Sequence, residues 1–143
     1  MKLFILTAFL SVMTIAASAQ CDHEVILQST TGRFVDGDKK DSDKNIEATI
    51  RVSKDKFVLL LTIAGETSTI TNTIDKVTAC DWKEFLVNGK SAFKVTTDKG
   101  DGKKEPSVIR LNSKNGKTTI YFGSDPDDKG GLELDVDEVK NSQ

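Results

Sequence analysis

The stretch "IEATIRVSKDKFVLLLTI", Ile46 to Ile63, decides the fold class. Its first half places Ile46, Ala48, Ile50 and Val52 on one face and polar side chains on the other, the two-residue period of a half-buried strand. The polar link "SKDK" then hands the chain to a second apolar run, "FVLLLTI". The stretch is predicted to be a β-hairpin. Phe57 to Ile63 carries apolar groups on both faces, which predicts a central strand, between neighbours or beneath a covering layer.

Working outward, "TSTITNTI" (67–74) is dominated by β-branched side chains, whose restricted χ1 suits a pleated surface. "SVIRLNS" (107–113) and "TTIYFGS" (118–124) flank "KNGK", where Asn115-Gly116 supplies the positive φ angles of a tight hairpin turn. "LELDV" (132–136) alternates again, and "EVILQ" (24–28) and "AFKVTT" (92–97) complete about eight strands. "DWKEFLVNGK" (81–90) has two readings. It is either a short helix, with Asp81 as N-cap and Glu84 closing a capping box, or a strand entering an Asn88-Gly89 turn; the second is favoured. The fold class expected is all-β: a single antiparallel domain, built as an up-and-down barrel or a β-sandwich.

The N-terminus reads differently. "MKLFILTAFLSVMTIAASAQ" joins one cation, Lys2, to an apolar run from Leu3 to Ala17 and the small-residue triplet Ala17-Ser18-Ala19, the pattern of a cleaved secretory signal peptide. The run is shorter than the roughly 20 residues of a spanning helix, so stable membrane insertion is not expected. Cys21 follows Gln20, which is not the small residue a lipidated cysteine requires. Residues 1–19 are thus expected to be a signal peptide and 20–143 one β domain, exported to the periplasm or outside the cell. Without Lys2 the chain holds 19 basic and 22 acidic side chains with the signs interspersed, which gives no electrostatic reason to bind nucleic acid.

Cys21 and Cys80 are the two cysteines, and in an oxidising compartment a single disulfide between them is expected. That bond leaves no thiolate, which removes the nucleophile that Cys80 beside Asp81 would otherwise offer. His23 is the sole histidine and lies near the mature terminus, a poor place for a triad base. The EF-hand template laid from Asp36 matches at Asp36, Asp38 and Glu47, but puts Lys40 where a ligand oxygen belongs and Asp41 where the sharp turn wants glycine. Its flanks, "GRFV" and "IEATIRV", read as strands rather than helices. The acidic stretch from Ser124 to Gly131 is equally plain loop chemistry. No metal, no cofactor and no catalytic residues are expected, and the chain is not expected to be an enzyme.

Strand count, size, export and an N-terminal disulfide resemble those of a lipocalin-like secreted protein. That family's Gly-x-Trp entry motif is absent, with Gly32-Arg33-Phe34 as an approximate stand-in. A closed barrel would make the protein a non-catalytic binder of a small apolar or amphipathic ligand, with Trp82, Phe85, Phe93 and Tyr121 as candidate contacts. The same four aromatics suit ordinary packing. The alternative is an extracellular or envelope interaction module with a protein partner and no small ligand.

Overall fold

The structure is a computed structural model and describes residues 21–124 and 130–141. The predicted signal peptide lies outside the described residues. The strands are β1 (Val25–Asp36), β2 (Lys39–Lys40), β3 (Lys44–Val52), β4 (Lys56–Ile63), β5 (Glu66–Glu84), β6 (Asn88–Asp98), β7 (Lys104–Lys114), β8 (Lys117–Ser124), β9 (Gly131–Val136) and β10 (Glu138–Asn141). From β3 to β9 each strand pairs antiparallel with the next, and β1 lies between β3 and β9. The sheet therefore closes on itself: an eight-stranded up-and-down barrel, with β2 and β10 as short additions to β1. A sandwich is excluded by the β1–β9 pairing, which runs from Thr31 opposite Asp135 to Val35 opposite Gly131.

The quoted hairpin folds as its period requires. Ile46, Ala48, Ile50 and Val52 are buried, and across from them Phe57 and Leu59 point into the same interior. Ser53 N–H donates to the Lys56 carbonyl at 2.9 Å to close the turn. Leu60 points outward and is exposed, so β4 is central between β3 and β5 but has no layer over it. Leu27, Ile46, Ile50, Phe57, Ile109, Ile120 and Leu134 are wholly buried inside the barrel. The outer wall carries Arg51, Lys94, Arg110, Glu133 and Asp135.

β9 and β10 form one continuous register along β1, since Thr31 faces Asp135 and Gln28 faces Glu138. The ladder is interrupted at Thr30, whose backbone N–H and hydroxyl both donate to Asp137 Oδ2 at 2.7 Å. On its other edge β1 slips by one residue against β3 between Ser29 and Thr31. Such a bulge bends a strand, as a small closed barrel requires.

The segment from 81 to 90 is a hairpin, as favoured, but its turn lies earlier than Asn88-Gly89. β5 continues through Glu84, the chain reverses over Phe85–Val87 with Leu86 at φ 59°, and Asn88 already belongs to β6. Gly89 serves close approach instead. A Cβ there would collide with the Asp81 carbonyl and the backbone and indole of Trp82. The Asn115-Gly116 turn forms as expected, with φ values of 53° and 78°. It is tied to the neighbouring turn by Gly116 N–H donating to the Val87 carbonyl and Asn115 N–H donating to Asn88 Oδ1, both at 3.0 Å.

Candidate ligand-binding site

Strand parity builds two different barrel ends. At the end holding the 85–87 and 115–116 turns, the interior is packed shut. Phe93 meets Phe57 edge to face with centroids 5.0 Å apart, Trp82 meets Phe85 at 5.2 Å, and Phe85 stacks on His23 at 3.8 Å. The Cys21–Cys80 disulfide, with Cα atoms 6.1 Å apart, holds the N-terminal segment here. Trp82 and Phe93 are almost wholly buried. The Trp82 Nε1 and Ser91 Oγ atoms are buried at this end without a hydrogen-bond partner in the protein.

The other end is hollow. A cavity of about 350 Å³ opens between the end of β1, β4, the start of β5 and the β6–β9 strands. Its apolar wall is Phe34, Leu59, Leu61, Ile70, Phe122 and Leu132. Gly123 and Gly131, paired across β8 and β9, bring only backbone to the cavity, and the faces where their side chains would stand point outward. The volume lies at the lower end of the range usual for small-molecule sites, roughly 300–1,000 Å³.

Four uncharged polar side chains line the cavity: Ser124 at the end of β8, and three deeper ones that interrupt the apolar wall. Asn72, Thr97 and Ser107 sit on β5, β6 and β7, each at the inward parity of its strand. Asn72 Nδ2 donates to the Phe57 carbonyl at 3.3 Å, and the Thr97 hydroxyl lies 2.8 Å from both Asn72 Oδ1 and Ser107 Oγ. Asn72 is 2% and Thr97 7% exposed, so these groups meet their needs from one another and from the cavity rather than from bulk water. Lys99 and Glu105 form the charged rim, 3.9 Å apart and largely exposed.

Of the sequence candidates, Trp82, Phe85 and Phe93 belong to the packed end, and none borders the cavity. Tyr121 lies on the outer wall. A Cβ on Gly123 or Gly131 would run into its ring, so the phenol covers the glycine pair from outside, with the Arg110 guanidinium 5.2 Å from the ring centroid. Phe34 and Phe122 are the aromatics at the cavity. They and the polar trio were missed, although one signal was present. In "ITNTI" the two-residue period puts Asn72 on the same face as Ile70 and Ile74, a lone polar residue in an apolar row.

The approximate entry motif separates into three roles. Gly32 lies so close to Leu134 and Ile46 that a Cβ would clash, Phe34 reaches the cavity, and Arg33 lies outside. The Arg33 guanidinium pairs with Glu133, Asp135 and, at 2.8 Å, Asp43, joining β1 to β9 across the closing seam. The hydrogen bond to Asp135, then that to Asp43, raises its pKa above the ordinary arginine value against the opposing effect of burial. Arg33 is a clamp on the wall.

Neither cysteine is free, so no thiol chemistry is available. The candidate calcium loop between Asp36 and Glu47 is flanked by β1 and β3, and Gly37, at φ 60°, helps turn the chain from β1 into β2. The acidic stretch after Ser124 lies mostly outside the described residues. Among the described residues, no group of three or more His, Cys, Asp or Glu side chains converges as a metal site. No family model, curated protein or solved structure matches this chain.

Proposed function

We propose that the protein is an exported, non-catalytic binding protein that holds a small apolar or amphipathic molecule in the open end of its barrel. The observation that carries this is the cavity, an apolar recess in a barrel whose other end is packed to exclude solvent. Folding fills interiors to close-packed density, and a barrel this size can be filled by side chains alone. Hollowing one end while sealing the other gives up packing that a purely structural module would keep. Among the described residues, the uncharged polar side chains bordering the recess are one amide and three hydroxyls, and the charged ones are Lys99 and Glu105 at the rim. That chemistry suits recognition better than proton transfer.

The disulfide fits an oxidising, extracytoplasmic compartment. Charged side chains on the outer wall and an apolar interior are the reverse of a lipid-embedded barrel, which supports action in water.

An environment-sensitive apolar dye, anilinonaphthalene sulfonate, tests the reading. The dye is expected to brighten on the native protein, and Leu61→Trp, which fills the recess, should weaken its binding by about tenfold or more at unchanged β-rich spectrum. A native protein that leaves the dye dark, or dye binding indifferent to Leu61→Trp, would favour the interaction module without a ligand.

A further inference from the structure

Polarity inside the recess is arranged by depth. Asn72 and Thr97 form its floor: both are almost wholly buried, and Asn72 pairs in register with Phe57, the residue that meets Phe93 in the packed half. Above them Leu61, Ile70 and Phe122 are half-buried, and Phe34 is exposed at the mouth. Ile63, two residues beyond Leu61 and at the same parity of β4, extends this apolar track and is exposed as well. Among the described residues, the polar side chains at the rim are Lys99, Glu105 and Ser124, all exposed and all on the β6–β8 side, so water already serves them. The hydrogen-bonding groups cut off from bulk water thus lie at the bottom, and an apolar exit lies on the side of β1, β4 and β5.

We infer that the ligand, on the reading of the recess as a binding site, lies head-down. An oxygen-bearing polar end rests on Asn72 and Thr97, and the apolar body runs up past Leu61, Ile70 and Phe122 to emerge beside Phe34. The amide nitrogen of Asn72 carries two hydrogens and the Phe57 carbonyl accepts one, so a donor is left over however Thr97 and Ser107 share their hydroxyl protons. An oxygen at the floor accepts from it. The opposite orientation presses hydrocarbon onto Asn72 and leaves that N–H unmet away from water, while the polar end gains only rim groups that water served before. A site whose buried polar groups go unpaired rejects a ligand far more strongly than an apolar pocket rejects a poor fit.

Two probes that differ by one oxygen atom separate the orientations: fluorescein joined through an amide to a decyl chain, and the same conjugate with a hydroxyl at the far end of the chain. Fluorescein is too large and too charged to enter, so it stays at the mouth in both probes. Any attraction or repulsion by the rim is then common to the pair, and only the chain end that reaches the floor differs. By fluorescence anisotropy the hydroxyl-ended probe is expected to bind about tenfold or more tightly than the methyl-ended one, although partition out of water favours the methyl. In Asn72→Leu that preference should shrink to within about twofold or reverse, because the floor then has no amide to satisfy. Should that variant fail to fold, the comparison on the parent protein decides alone. A methyl-ended probe that binds the parent as tightly as the hydroxyl-ended one, a preference that survives in folded Asn72→Leu, or a parent that binds anilinonaphthalene sulfonate but neither probe overturns the orientation and leaves the binding function standing. A protein that binds no anilinonaphthalene sulfonate overturns both.

Discussion

Replacing both cysteines, Cys21→Ser with Cys80→Ser, removes the one covalent tie between the N-terminal segment and the barrel. The bond spans a sequence separation of 59, from a residue outside β1 to the second half of β5, two positions before Trp82. In the chain-entropy model a closed loop of that length restricts the unfolded chain by about 4 kcal/mol at 25 °C. The folded state also loses something, because the segment from Cys21 to Glu24 has no strand of its own and carries His23 onto Phe85. Without the bond that stack must be held by its own contact, worth of order 1 kcal/mol. The double variant is therefore expected to lose roughly 3–5 kcal/mol in urea unfolding and to melt some 10–20 °C earlier. Its far-UV spectrum should stay β-rich, because barrel closure depends on β1 and β9, and dye binding should persist, because the cavity is at the opposite end. Thiol titration of the denatured, unreduced parent should find no free sulfhydryl. A double variant within about 0.5 kcal/mol of the parent would refute the loop-entropy reasoning, and two free thiols in the parent would refute the bond.

Arg33→Met keeps much of the side-chain volume but strips Glu133 and Asp135 of their shared cation at the barrel seam. Because Glu133 is mostly buried, and keeps only Lys40 at 3.2 Å, a loss of about 1–3 kcal/mol in chemical denaturation is expected; a change below about 0.5 kcal/mol would mean the seam is held by its backbone ladder alone. Ser91→Ala deletes a buried hydroxyl that no protein group meets, and should be neutral or stabilise by up to about 1 kcal/mol, whereas a comparable loss in the same assay would show that the hydroxyl has a partner in solution.

The strands were legible because their information is local. Ile46, Ala48, Ile50 and Val52 announce their face by alternation, and Asn115-Gly116 announces its turn by tolerating positive φ. Where two local signals compete, sequence misleads: Asn88-Gly89 looks like a turn, but its glycine accommodates Trp82, and Leu86 takes the left-handed conformation instead. Barrel and sandwich could not be separated because the deciding pair, β1 with β9, joins residues about a hundred apart, and Arg33 gives no local sign that its partners are Glu133 and Asp135. The site was harder still. An aromatic residue serves equally as core, wall or ligand contact, so Trp82, Phe85, Phe93 and Tyr121 carried no directional information. A polar residue at inward parity is less ambiguous, since burial obliges it to find a partner. Ser29, Asn72, Ser91, Thr97, Ser107, Ser113 and Thr118 all meet that condition. Ser29 spends its hydroxyl on the Thr31 carbonyl, and Ser113 and Thr118 spend theirs on each other and on the Leu86 carbonyl. Among these, Asn72, Thr97 and Ser107 combine inward parity with mutual hydrogen bonds and a border on open space, and that last selection depends on distances between strands that no period in the sequence encodes.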